Sequence, residues 1–196
     1  MTLGDQPLGR EGFLHGKLLI AMPGMPDPRF DKSVIFICSH SEQGAFGLIL
    51  NKPIDELSFK SLMEKMDIPT TPQTSTRPVL LGGPVDTDSG YILHSNEAAN
   101  RPPSTITVTP EIALTLTVDL LRKIAGGRGP DKWLMALGYA GWGPGQIESE
   151  MASNGWIHCD ADDMLVFDED FDGKWAKALG KLGASLSGLS SEVGRA

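Results

Sequence analysis

Two side chains suited to nucleophilic or proton-transfer chemistry lie two residues apart, at Cys38 and His40. They belong to the run SVIFICSH, whose β-branched and aromatic residues predict a strand buried on both faces. Because side chains alternate along a strand, both should point to the same face, roughly 6–7 Å apart along the backbone. A nearby imidazolium would favour the thiolate and a reactive Cys38. The alternative, which the burial preference of cysteine favours, is a buried thiol beside a strand-end histidine.

A second group of polar residues surrounds a stiff loop at residues 23–28, where three of six residues are proline. Proline has a fixed φ and no N–H donor, so neither a helix nor a central strand can pass through the loop. Arg29 and Asp31 follow the loop, and the hairpin strand that pairs back ends at Asn51 and Lys52. In an antiparallel hairpin these ends meet, so the four residues should form one wall of a site. The alternatives are a structural Arg29–Asp31 ion pair and an Asn51 that only caps its turn.

Three further candidates are His94 at a strand end, and Trp142 and Gln146 in a glycine-rich turn that leads into a helix. His94 follows an apolar run, where a hydrogen-bonded structural histidine is the alternative to a site residue. The glycine-rich turn GYAGWGPGQ fails the phosphate-binding pattern, because Gln146 stands where the third glycine is required. Glu148 and Glu150, early in the following helix, would also repel a phosphate. The pattern therefore favours a structural turn anchored by Trp142, followed by a helix with a solvated polar face.

Composition and missing motifs exclude several classes of function. With 25 acidic and 17 basic residues the net charge is −8, which argues against direct, sequence-independent binding to nucleic acid. Serine-hydrolase, calcium-loop and zinc-protease spacings are missing, so we expect no cofactor and no metal. Two cysteines without a CxxC motif exclude a disulfide framework. The sequence shows neither a signal-peptide pattern nor an apolar stretch of about 20 residues, so we expect a cytoplasmic protein outside the membrane.

The predicted elements alternate without a regular βαβ rhythm, which favours an α+β fold over an α/β fold. Helices are predicted at residues 57–66, from Thr109 to the glycines at 126 and 127, at 145–153 and at 173–182. Strands are predicted at residues 17–22, 33–40, 46–50, 79–81, 91–94, 105–109, 133–140, 156–159 and 164–167. The first hairpin should end at Asn51-Lys52-Pro53, and the glycines at 82 and 83 allow a close backbone approach. Residues 1–183 are expected to form one domain with at most two lobes, and 184–196 a disordered tail.

The segments GKLLIAMPGMPDPRFDKSVIFIC at 16–38 and GAFGLILNKP at 44–53 closely resemble the opening of the YqgE/AlgH family of bacterial proteins. The likeness continues through GGPV at 82–85, residues 91–94, the turn at 138–145 with Gln146 and Glu148, and the closing Asp168, Trp175, Ala178 and Leu179. It covers roughly residues 13–183. The resemblance implies a compact α+β protein with a curled mixed β-sheet, peripheral helices and a smaller second lobe.

Members of the family are largely uncharacterised, and some are labelled transcriptional regulators although they carry no known DNA-binding motif. The resemblance therefore implies a cytosolic, non-enzymatic protein that binds a protein or small-molecule partner and acts in regulation. The alternative is an enzyme or thiol-based sensor that uses Cys38 with His40. The binding protein is favoured, because the sequence provides no complete catalytic constellation.

Overall fold

The computed structural model describes residues 12–97 and 102–183 of the 196-residue chain. The strands within these ranges are β1 Lys17–Ala21, β2 Val34–Ser41, β3 Gly44–Ile49, β4 Pro53–Ser58, β5 Pro78–Leu81, β6 Val85–Ser95, β7 Ile106–Thr107, β8 Ile112–Thr115, β9 Trp133–Trp142 and β10 Trp156–Asp160. The helices are α1 Phe59–Lys65, α2 Val118–Ala125, α3 Gln146–Ala152, α4 Asp163–Val166 and α5 Lys174–Gly180.

The strands form one connected sheet that is held together by β9. The order along the main path is β10-β1-β2-β3-β9-β6-β8-β7, and β4 joins through β5. Strand β5 pairs in parallel with β9 at Ala136 and Leu137, whereas the other pairs are antiparallel, so the sheet is mixed. The curled mixed sheet with helices at its periphery confirms the predicted α+β class.

Glycines allow β5 and β9 to approach each other closely. A Cβ on Gly82 would lie 2.3 Å from the carbonyl oxygen of Gly138, and a Cβ on Gly138 would lie 2.5 Å from that of Gly83. Gly138 also has a φ of +70°, which L side chains rarely adopt. The close backbone approach predicted for Gly82 and Gly83 is therefore confirmed.

Apolar side chains fill both faces of the sheet. Leu18 and Phe36 belong to one core cluster, which includes residues of α4 and α5, whereas their neighbours Leu19 and Ile35 belong to a second cluster, which includes Ile147 of α3. This alternation follows from the period of two residues along a strand. A third cluster lies under α1 and α2. The division into two lobes stays a prediction. The predicted burial of β2 on both faces is confirmed.

The helix predicted to begin at Thr109 begins later, so that prediction is wrong in part. Residues Ile112–Thr115 form strand β8, which is fully buried and pairs with β6. The hydroxyl of Thr109 accepts hydrogen bonds from the N–H groups of Glu111 and Ile112, at 3.3 and 3.0 Å, but closes only a turn. Burial in the sheet overrides the helical spacing of these residues, and α2 starts only at Val118.

One other local prediction is wrong. Residues 164–167 were expected to extend as a strand, but α4 occupies Asp163–Val166 because Asp162 caps it and accepts from the Leu165 N–H at 2.7 Å. The first hairpin ends as expected, since β3 ends at Ile49 ahead of Asn51-Lys52-Pro53. The sequence did not predict β4, which begins at Pro53 and pairs with β5. Proline is tolerated at the first residue of a strand.

The predictions of α1, α3 and α5 are confirmed, with Ser58 capping α1 as expected. Across residues 12–97 and 102–183, every helix is too short or too polar to cross a bilayer. The extent of the domain, residues 1–183, stays a prediction, and the predicted disordered tail at 184–196 lies outside the described residues.

Candidate functional site

The predicted pairing of Cys38 with His40 is wrong, because the strand is irregular between them. The β2–β3 register places Ile37 opposite Gly47 but Ser39 opposite Phe46, so Cys38 is the extra residue of a β-bulge. The bulge reverses the alternation of side chains. Cys38 therefore packs in the first core cluster, whereas His40 contacts the second, on the opposite face of the sheet.

The Cys38 thiol lies in a fully apolar environment. Its side chain is only 2% exposed, and Sγ donates to the carbonyl oxygen of Phe36 at 3.6 Å. Burial raises the pKa of the Cys38 thiol far above its ordinary value. Since the thiolate is the nucleophile, we expect the buried Cys38 to react slowly at neutral pH.

Both ring nitrogens of His40 are occupied within the fold. Nδ1 accepts from the Leu14 N–H at 3.0 Å, so the proton of the neutral ring resides on Nε2. Nε2 donates to Oε1 of Glu148 at 3.0 Å, and the Phe13 ring contacts the imidazole edge-on at 5.0 Å. His40 thus ties residues 13–14 and helix α3 to the sheet, and both of its ring nitrogens are engaged by groups of the protein.

The proline loop is held by two of the predicted site residues. Nζ of Lys52 donates to the carbonyl oxygen of Arg29 at 2.7 Å. The Asn51 amide donates to Lys32 O at 2.8 Å and accepts from the Val34 N–H at 2.9 Å. The structure therefore brings Asn51 and Lys52 against the loop, through backbone contacts.

In place of the expected Arg29–Asp31 ion pair, Arg29, which follows the proline loop, pairs with Asp27 of the loop. The Arg29 guanidinium binds Asp27, with Nη2 2.6 Å from Oδ2, and this contact lowers the pKa of Asp27 and raises that of Arg29. Asp31 acts on Lys52 instead: burial lowers the pKa of Lys52, and the charges of Asp31 and Asp27 partly oppose that effect. The Arg29 side chain remains 65% exposed.

His94 occupies the core as a hydrogen-bonded structural residue. Its Nδ1 donates to the carbonyl oxygen of Ser95 at 2.8 Å, and Nε2 lies 2.9 Å from the hydroxyl of Thr115. The residue is fully buried. These contacts join β6 to β8, and they match the structural alternative given for this histidine.

Glu150, which was predicted to lie on a solvated helix face, accepts hydrogen bonds from both Trp142 and Gln146. Oε2 of Glu150 accepts from the indole N–H groups of Trp142 and Trp156, at 3.0 and 2.8 Å. Oε1 accepts from Nε2 of Gln146 at 2.8 Å, and Gln146 itself accepts from the Gly143 N–H at 3.0 Å. Glu150 therefore fastens α3 to β9 and β10, and a spacing of four residues from Gln146 was its only sequence signal.

A groove that the sequence did not reveal lies beside Trp133, and its volume is about 270 Å³. Its walls are the start of β9 with Lys132 and Trp133, helix α4 with Asp163 and Met164, and Arg77 ahead of β5. Lys132 forms an ion pair with Asp163 across the groove. The wrong strand prediction at 164–167 concealed it, because the α4 wall exists only when these residues are helical.

Arg77 organises the inner end of the groove. Its guanidinium lies 5.3 Å from the Trp133 ring centre, and Nη1 donates to the Trp133 carbonyl oxygen at 3.3 Å. Nε lies 2.7 Å from Oε1 of Glu169. Among the residues that the structure describes, Met164 is the most exposed large apolar side chain, at 81%. The groove thus combines an indole, an exposed thioether and paired charges, which is the composition of a binding surface.

The mixed sheet and its peripheral helices describe a small α+β protein, and the comparison with protein families identifies the family. Residues 18–187 match the model of the AlgH-like family, DUF179, and the chain belongs to that family. This confirms the resemblance seen in the sequence.

Relatives match over nearly their whole length. A UPF0301 protein of Jannaschia sp. (strain CCS1) is 51% identical, over 93% of this chain and 95% of the relative. A UPF0301 protein of Bradyrhizobium diazoefficiens is 46% identical, over 100% of this chain and 94% of the relative.

Two solved structures share the fold. The solution structure of the AlgH protein from Pseudomonas aeruginosa matches with a TM-score of 0.75 at 36% identity, over 97% of this chain and all of that chain. The crystal structure of a Corynebacterium diphtheriae protein matches with a TM-score of 0.69 at 23% identity, over 89% of this chain and 90% of that chain. The second likeness shows the fold alone.

Proposed function

We propose that this protein is a non-enzymatic binding protein that acts in regulation, and that the groove beside Trp133 is its binding surface. The observation that carries the proposal is the composition of the groove. An exposed Met164 and the Trp133 indole lie among ion-paired side chains, and aromatic, methionine and arginine residues are enriched where proteins bind one another.

The arrangement of the candidate reactive groups supports binding over catalysis. Cys38 is buried and protonated, and His40 has both ring nitrogens bonded within the fold. His94 is likewise hydrogen-bonded within the core. The thiol-based alternative requires a Cys38 close to an imidazole, and the bulge places the two on opposite faces.

For the proline loop we propose a role as a second contact surface. Asn51 and Lys52 fix the loop through its backbone and leave the Arg29 guanidinium exposed next to Asp27. The proposed site of action is the cytoplasm. With a net charge of −8 we expect no direct contact with DNA, so a regulatory effect would pass through a protein partner.

The test compares the partners captured by wild-type protein and by two variants. Met164→Asp places a charge on the groove, whereas Met66→Asp alters a methionine at the end of α1 that is 42% exposed and lies outside the groove. All three proteins are immobilised at equal amounts and exposed to a bacterial lysate. We expect proteins that the wild type and Met66→Asp retain but Met164→Asp loses, and identical captured sets for all three would contradict the proposal.

Thiol modification tests the alternative. Native Cys38 should react with a disulfide reagent at pH 7 far more slowly than in the denatured chain, because the buried thiol is protonated. Cys159 is a second free thiol that would react with the reagent, so the rate is measured in a Cys159→Ala background. Reaction of native Cys38 as fast as a free model thiol would support a thiol-based function instead.

A further inference from the structure

The groove has a charge pattern that specifies its occupant. Resting on the function proposed above, we propose that the groove binds an extended segment of a partner protein in which a basic side chain lies next to an apolar one. The argument uses the charges, the apolar surface and the volume of the groove.

Negative charge exceeds positive charge along the groove and the narrow recess that continues it. Four carboxylates and two cations line the two together. They are Asp131, Asp163, Asp168, Glu169, Arg77 and Lys132. An anionic ligand would be repelled by this excess and by the net charge of −8, whereas a lysine or arginine would be attracted.

The two cations of the groove already have carboxylate partners. Arg77 pairs with Glu169, and Lys132 pairs with Asp163, so neither is available to an anion without breaking a pair. Asp168 is paired with Lys177 of α5. Within residues 12–97 and 102–183 no ion pair involves the exposed Asp131. Asp131 is therefore the carboxylate to which a basic side chain of the partner binds.

Apolar surface lies directly beside these charges. Met164 is 81% exposed at the rim, and the half-buried Trp133 and Phe167 belong to both the groove and the recess. Leu134 and Phe171 continue the apolar lining into the recess, which is only about 20 Å³. Methionine adapts its shape to different apolar partners, so a leucine, isoleucine or phenylalanine of the partner packs in the groove against Met164.

The size of the groove favours a protein segment over a free small molecule. Pockets that enclose small molecules usually have volumes of about 300–1,000 Å³. This groove, at about 270 Å³, is open on one side and bounded by the start of a strand and a short helix. Such a surface takes side chains from an extended segment that continues beyond the groove at both ends.

A randomised dodecapeptide library displayed on phage, selected on immobilised full-length protein, tests the inference. We expect the enriched peptides to carry lysine or arginine adjacent to leucine, isoleucine, methionine or phenylalanine. The affinity of a synthetic enriched peptide should fall about tenfold with Met164→Asp and about two- to fivefold with Asp131→Asn. The controls Met66→Asp and Asp67→Asn, both outside the groove, should leave it unchanged. Added salt should weaken binding, since rim charges are screened.

The outcomes separate this inference from the proposed function. Enriched peptides that are acidic or uncharged, yet still lose affinity with Met164→Asp, overturn the basic partner and leave the groove as the binding surface. A wild-type dimer that Met164→Asp dissociates identifies a second copy as the occupant and also overturns the inference. Enrichment that Met164→Asp does not affect, or no enrichment, overturns the inference, and an unchanged set of lysate partners would then overturn the proposed function as well.

Discussion

At the scale of single residues, buried and half-buried polar side chains bind elements of the fold to one another. His40, Asn51, Lys52 and Glu150 each contact a backbone group or a side chain that is distant in sequence or belongs to another element. Such contacts satisfy buried donors and acceptors that would otherwise destabilise the protein. These residues are therefore expected to control stability more than activity.

Glu150→Ala should lower the free energy of unfolding by about 2–3 kcal/mol, because two indole N–H groups lose a charged acceptor. Urea unfolding monitored by tryptophan fluorescence measures the change. Glu64→Ala, an exposed glutamate in α1, is the matched control and should change stability by at most about 0.5 kcal/mol. Equal effects of the two variants would show that Glu150 does not hold Trp142 and Trp156.

The buried Lys174 predicts that the stability of the protein depends on pH. Its side chain is fully buried, Nζ donates to the carbonyl oxygen of Val166 at 3.0 Å, and burial lowers its pKa from 10.5 to about 8. Between these values the unfolded chain binds more protons than the folded chain, so the contribution of Lys174 to stability rises with pH over this window. Below about pH 8 the cost of burying its charge applies in full.

The difference in unfolding free energy between wild type and Lys174→Met should therefore shift by about 3 kcal/mol in favour of the wild type from pH 7.5 to 10.5. Taking the difference cancels the opposing effect of Cys38, whose raised pKa lowers stability at high pH. The exposed Lys65→Met serves as the control. A difference between wild type and Lys174→Met that stays constant with pH would contradict the burial of a charged Lys174.

At the scale of elements, the sequence predicted the strands of the central sheet better than the elements at its margins. The β-branched and aromatic residues of the run at 33–40 are sufficient to predict a strand, and β2 forms there. The β-bulge at Cys38 depends on the register with β3, which no local pattern encodes. Strand β8 likewise depends on pairing with β6, and α4 on one capping aspartate, Asp162.

The candidate site could likewise be predicted only where it depends on local sequence. Proximity of Asn51 and Lys52 to the loop followed from hairpin geometry, so it could be predicted. The groove could not, because it joins residue 77, the start of β9 and α4, which are far apart in sequence. The long-range contacts of Arg77 with Trp133 and Glu169, and of Lys132 with Asp163, bring these parts together.

The proline loop provides a prediction at this scale. Asn51→Ala should destabilise the protein by about 1–3 kcal/mol, because it leaves Lys32 O and the Val34 N–H without their partner. Arg29→Ala should cost less than about 1 kcal/mol, since its ion pair with Asp27 is exposed. Thermal unfolding of both variants gives the comparison, and a larger loss for Arg29→Ala would mean that the loop is held by its ion pair.

At the scale of the whole molecule, one mixed sheet has α4 and α5 on one face and α3 on the other. Cys38, the candidate nucleophile, is buried in the first of these core clusters. What the fold presents outward at the groove is apolar and negatively charged surface. We propose that a protein built in this way acts through what it binds. This central claim assigns the proposed function to Met164 and its surroundings, and not to Cys38.

Complementation of a bacterial strain lacking its own member of the family tests this claim most directly. The wild type, Met164→Asp and Met66→Asp are expressed at equal levels, and thermal unfolding confirms that each variant is folded. The account predicts that Met66→Asp restores the phenotype of the deletion strain, whereas a folded Met164→Asp does not, because a buried interface does not accept an unpaired charge. Full complementation by Met164→Asp would contradict it.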